Sequence, residues 1–127
     1  TGARENLLKL KEHFELHVVT ARPHNVREQT ISWVKEHYDG IFCDFHFGNL
    51  YGMTGERKKK SQICKEIGAV GLVDDSAGYA MDCAVNGIKV VLFGNYAWNN
   101  ATVEHDLIAR ADSWETAREA IMTKFLV

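Results

Sequence analysis

Apolar runs alternate with stretches of helical periodicity along the whole chain, the pattern of repeated strand–helix units that build a parallel sheet. Leu7, Leu10 and Phe14 recur at i, i+3 and i+7 and predict an amphipathic helix over residues 3–14, which leads into a strand over 16–20, L-H-V-V-T. Pro23 suits the first turn of the next helix, where its missing N–H costs nothing. Val26, Thr30, Trp33, Val34 and Tyr38 mark the buried face of that helix, and Asp39-Gly40 closes it. Residues 41–47 are rich in aromatic and β-branched side chains and predict a second strand, followed by an exposed, Gly-containing loop over 48–55. A helix over 58–67, a short apolar strand over 70–73, a helix over 77–85 and a strand over 89–93 continue the alternation, with Gly87 in the last turn. Asp112, three residues ahead of Glu115 in capping-box spacing, announces a closing helix whose inner face is Trp114, Ala117, Ile121 and Phe125.

Composition narrows this picture. With 127 residues, 46% hydrophobic and 25% charged, the chain is expected to form one α/β domain, residues 1–127, around a single core. A formal charge of −2 supplies no field to hold nucleic acid or an anionic membrane nonspecifically, so neither is an expected partner. Cys43, Cys64 and Cys83 lie far apart, with no C-x-x-C pair, and are expected to be reduced and mostly buried. Of the six histidines, His17, His24, His37, His46 and His105 read as surface or packing residues. The tryptophans and Phe42, Phe45 and Phe47 read as core. No apolar run approaches the roughly 20 residues of a membrane-spanning helix, and the polar start T-G-A-R-E-N does not resemble a signal peptide, so a cytoplasmic location is expected.

Chemistry concentrates at two strand ends. In open parallel sheets reactive groups collect beyond the carboxyl ends of the strands, where loops converge and helix N-termini offer unpaired N–H groups to anions. One strand ends in Thr20-Ala21-Arg22, a hydroxyl and a guanidinium close to a helix start. The other ends in Asp74-Asp75-Ser76, two adjacent carboxylates followed by a helix N-cap. Two such carboxylates repel each other and are most comfortable beside a cation, Mg²⁺ or a lysine such as Lys60.

In order, V-V-T-A-R-P, a lysine opening a helix, and L-V-D-D-S resemble motifs II, III and IV of the haloacid-dehalogenase superfamily of aspartate-nucleophile phosphatases. A receiver domain uses similar groups, but its acidic pair comes first and its lysine last. The wider context, E-L-H-V-V-T-A-R-P, K-S-Q-I-C-K-E-I-G-A, L-V-D-D-S and V-L-F-G-N-Y-A-W-N, looks most like the branch of the 5′(3′)-deoxyribonucleotidases and covers residues 1–99. The resemblance implies a three-layer Rossmann-like core with a mostly parallel sheet and a phosphorylated small molecule as substrate. It also implies that Thr20 hydrogen-bonds the transferring phosphoryl group, that Lys60 neutralises it, that Arg22 adds a phosphate contact, and that Asp74 and Asp75 hold Mg²⁺. Lys58 and Lys59 are rivals to Lys60, which is preferred because it immediately precedes S-Q-I-C. The segment Tyr96-Ala97-Trp98-Asn99 shows alanine where relatives carry proline, and no catalytic role is assigned to it.

The family's nucleophile comes from a D-x-D motif on a first, central strand, and no D-x-D occurs in this sequence. Asp44 is the only other acidic residue inside a predicted strand, and it has no second carboxylate beside it. The chain begins where a relative would finish the cap, which suggests either a fragment or a member that has lost its chemistry. In either case the chain as given is expected to be inactive. The missing strand would leave the 16–20 and 70–73 strands with unpaired edges, to be closed by direct pairing or by a second copy in a homodimer. The alternative from another class is a non-catalytic module kept for binding or self-association. A dinucleotide site is disfavoured, since no G-x-G-x-x-G follows a strand.

Overall fold

Strand pairing is parallel wherever it occurs among the described residues, which in this computed structural model are 2–49, 58–94 and 105–126. The elements, in order, are α1 (Ala3–Lys11), β1 (His17–Thr20), a 3₁₀ turn (His24–Val26), α2 (Arg27–His37), β2 (Asp44–Phe47), α3 (Lys60–Ile67), β3 (Gly71–Asp74), α4 (Ala77–Val85), β4 (Lys89–Phe93), β5 (Ile108–Ala111) and α5 (Trp114–Lys124). The class is therefore α/β with small parallel sheets, a layout compatible with a Rossmann-like arrangement. No described helix is long and apolar enough to cross a membrane. The chain divides into two compact units, Ala3–Ile63 and the described residues from Cys64 onward, with the division falling inside α3.

In the first unit β1 pairs with β2, His17 opposite Asp44 and Thr20 opposite Phe47. The ladder begins one residue before the strands proper, where the Cys43 N–H donates to the Leu16 carbonyl at 2.8 Å. Leu7 and Leu10 form the buried stripe of α1, as their spacing predicts, while the helix itself ends at Lys11 rather than running on to Phe14. Pro23 does not open α2 directly. Its carbonyl accepts from the Val26 N–H in the 3₁₀ turn, and the α-helix starts at Arg27. The buried face of α2 is narrower than expected: Thr30 and Val34 are buried, but Trp33 is 54% exposed. At 100° per residue Trp33 lies roughly 80° from the centre of the Thr30–Val34 stripe. It stacks on His37, with ring centroids 4.4 Å apart, instead of entering the core. Of the expected aromatic core, Phe47 is buried and Phe42 and Phe45 are half-buried.

The second unit is a helix–sheet–helix sandwich whose sheet order is β3-β4-β5. Central parallel strands are buried on both faces and read as unbroken apolar runs, and Val90, Val91 and Leu92 of β4 are all fully buried. Leu72, Val90 and Leu92 pack with Ala80 and Cys83 of α4, Cys64 of α3 and Ile88 in one cluster. The opposite face belongs to α5. Phe93 meets Trp114 with centroids 4.8 Å apart, the Lys89 ammonium donates to the Lys124 carbonyl at 2.8 Å, and the Phe125 ring lies where a side chain on Gly71 would have to go. Residue 71 is therefore small because a ring occupies its side-chain space.

Several expectations need correcting here. β5, I-A-R-A, was not anticipated, because Arg110 interrupts a short stretch otherwise made of small and apolar residues. The cap of α5 sits one residue later than predicted. Ser113 accepts from the Thr116 N–H and donates its own N–H to the Thr116 hydroxyl, both at 3.1 Å, so the capping box is Ser113/Thr116 and not Asp112/Glu115. Direct pairing of the two supposed edges is not formed either. The described ladders join β1 to β2, β3 to β4 and β4 to β5, and none joins β1 to β3. The expected loop over 48–55 and the Tyr96–Asn99 segment lie largely or wholly outside the described residues. Because Leu92 is completely enclosed at the centre of the sandwich, Leu92→Ala is expected to destabilise the fold by about 2–5 kcal/mol, read from the midpoint of urea unfolding at constant m-value.

Candidate functional site

Polar side chains stand out at three places: the carboxyl tip of β1, the carboxyl tip of β3, and one face of the β1–β2 ladder. At the carboxyl tip of β1 the Thr20 hydroxyl accepts from the Arg22 N–H at 3.2 Å, and the Arg22 guanidinium donates to the Thr30 hydroxyl on α2, also at 3.2 Å. Arg22 is thus tethered to α2 while remaining exposed. Thr20 is linked through the backbone to the lysine segment: Gly48 donates its N–H to the Thr20 carbonyl, and the Gly48 carbonyl accepts from the Lys58 N–H, both at 2.7 Å. The tip of β1 and the residues that lead into α3 are therefore one hydrogen-bonded assembly, and Lys60 is the first residue of that helix. A Cβ on Gly48 would collide with the Lys58 carbonyl oxygen, so only glycine lets the two segments approach.

In the second unit Asp74 closes β3 and is buried, 8% exposed, while Asp75 immediately after it is exposed. A buried carboxylate must be hydrogen-bonded or paired, and one oxygen of Asp74 accepts the Ser76 N–H at 3.0 Å. Ser76 is the N-cap of α4, its hydroxyl accepting from the Tyr79 N–H at 3.3 Å. The acidic pair thus stands at a strand tip and ahead of a capped helix. The donor set of two carboxylates is of the hard oxygen type that suits Mg²⁺. Cys64 and Cys83 are buried, as expected. Hydrogen bonding to Cys64 and burial push the Cys83 thiol well above its ordinary pKa, so it stays protonated. Cys43, in contrast, is exposed.

The group on the β1–β2 face was missed from the sequence, where the histidines read as isolated. In the β1–β2 register His17 lies opposite Asp44 and Val19 opposite His46, so His17, Asp44 and His46 share one face. His17 Nδ1 is 2.9 Å from His46 Nε2, the rings stack at 20° with centroids 5.2 Å apart, and the Cys43 sulfur is 3.2 Å from His17 Nε2. Glu15 Oε2 lies 3.8 Å from His17 Nε2, and Asp44 Oδ2 lies 3.9 Å from His46 Nε2. Burial lowers the pKa of His46 despite the nearby Asp44 carboxylate, which favours the neutral imidazole. The Phe45 N–H, donating to Asp44 Oδ1 at 2.8 Å, lowers the pKa of Asp44 and keeps it ionised. The signal available in the sequence was a matched pair of short strands, E-L-H-V and C-D-F-H, which become neighbours only through their parallel register.

Gly48→Ala is expected to cost about 1–3 kcal/mol by forcing Lys58 away from the tip of β1, measured by thermal unfolding against the parent chain. Comparison with protein-family models, with curated proteins and with solved structures returns no match for this chain.

Proposed function

We propose that this chain carries the phosphate- and metal-binding portion of a haloacid-dehalogenase-like phosphohydrolase core, similar to the nucleotidase branch, and that without a nucleophilic aspartate it does not turn over. The observation that carries this reading is the placement of the motif residues: Thr20 ends β1, Lys60 begins α3, and Asp74 ends β3 with Asp75 next to it. Phosphoryl transfer needs mainly positioning and neutralisation of charge on the transferred group, and hydroxyl, ammonium and carboxylate-bound cation are the groups that supply it. Thr20 would donate its hydroxyl to a phosphate oxygen, with Arg22 beside it, and Lys60 would offset the phosphate charge. Asp74 and Asp75 would hold Mg²⁺, whose positive charge would favour phosphate binding. The absence of D-x-D from the sequence removes the step in which a carboxylate attacks phosphorus.

The expected outcome is no Mg²⁺-dependent release of phosphate from p-nitrophenyl phosphate by the 127-residue chain. Calorimetry should nevertheless detect Mg²⁺ binding that Asp75→Asn weakens at least about tenfold, the scale of losing a contact that supports a metal. Turnover that Asp75→Asn abolishes would refute the inactivity, and an absence of Mg²⁺ binding would refute the retained site.

One observation favours a second reading, a non-catalytic module that self-associates. Val18 and Val19 of β1 are only half-buried, although an apolar parallel strand is ordinarily covered on both faces. On this reading sedimentation gives a dimer at micromolar concentration, and a monomer across that range removes it.

A further inference from the structure

We propose that His17, Asp44 and His46 form a binding site for a transition-metal dication of the zinc class at the amino-terminal ends of β1 and β2. The site is independent of the phosphate reading, because the side chains of His17, Asp44 and His46 lie on one face of the β1–β2 ladder and that of Thr20 lies on the other.

Geometry is the first support. Among the described residues, one ligand atom from each of His17, Asp44 and His46 lies within 4.8 Å of the others. Ligands bound at 2.0–2.1 Å around a tetrahedral ion sit roughly 3.3 Å apart. The two imidazole nitrogens, at 2.9 Å, would therefore open by about 0.4 Å, and the exposed Asp44 carboxylate would close by about 0.6 Å on His46 and by up to about 1.5 Å on His17. The donor chemistry is the second support. Two imidazole nitrogens and one carboxylate oxygen form a borderline set that selects Zn²⁺ and its neighbours, not the all-oxygen set of Mg²⁺ or Ca²⁺.

The surrounding contacts also fit. A histidine that binds metal through one nitrogen must carry its proton on the other, and ligand histidines commonly donate that proton to a carboxylate or carbonyl. His17 facing the ion through Nδ1 leaves Nε2 toward Glu15 and Cys43, at 3.8 and 3.2 Å. Asp44 is oriented by the Phe45 N–H on Oδ1, so Oδ2 is the oxygen turned toward His46. Three protein ligands leave the fourth tetrahedral position to water.

The test uses the 127-residue chain after chelator treatment, titrated with Zn²⁺ by calorimetry and with Co²⁺ by visible absorption. The proposal expects about one Zn²⁺ per chain, tetrahedral Co²⁺ bands without a thiolate charge-transfer band, and no displacement by excess Mg²⁺. His46→Ala and Asp44→Asn should each weaken Zn²⁺ binding at least about tenfold, and Cys43→Ala should leave it nearly unchanged. Asp44→Asn decides the matter if the histidine variant does not fold, since Asp44 is exposed. Undiminished binding in Asp44→Asn, loss of binding in Cys43→Ala, or no Zn²⁺ uptake by the parent chain would each overturn the three-residue site.

Discussion

Parallel pairing is the constraint on which the rest of this structure depends. Strands that run the same way cannot be joined by a tight turn, and the chain passes from β1 to β2 through α2 and from β3 to β4 through α4. In the second unit this leaves β4 with α4 on one side and α5 on the other, which is why three consecutive residues, Val90, Val91 and Leu92, can be wholly apolar and wholly enclosed. The same arrangement turns all the carboxyl tips of a sheet toward one edge. Thr20 and Asp74 sit at such tips because the strands that carry them are parallel to their neighbours.

Polar groups at these two tips, each in its own sheet, are organised by backbone donors. Asp74 is buried and accepts an amide N–H from Ser76, whose hydroxyl in turn caps α4. Thr20 is reached through Gly48, whose two backbone hydrogen bonds connect the end of β1 to Lys58. Each case trades water for a main-chain partner, which holds a charged or hydroxylated side chain at the rim of a sheet without leaving it unsatisfied.

The amino end of the first ladder follows different physics. There the strands bring two imidazoles, a thiol and two carboxylates together on partly exposed ground, and burial rather than pairing sets the neutral state of His46. One short pair of strands therefore ends in the Thr20 hydroxyl and carries His17, Asp44 and His46 together on its other face.

The sequence by itself determined the α/β class, the order of strands and helices from β1 to β4, the buried stripe of α1, and the positions of Thr20, Lys60, Asp74 and Asp75 at element ends. These follow from local periodicity and from the turn and capping chemistry of neighbouring residues. Features that depend on which strands become neighbours needed the tertiary structure. β5 owes its existence to the edge that β4 offers it, since I-A-R-A has little strand character alone. Trp33 stays outside because the stripe of α2 is narrow, and the cap of α5 moved to Ser113 because one residue of phase decides which hydroxyl meets the first free N–H. The His17–Asp44–His46 face was hidden for the same reason. Spacing along a chain says nothing about two segments about 30 residues apart until a register, fixed by backbone hydrogen bonds, sets their side chains on one side of a sheet.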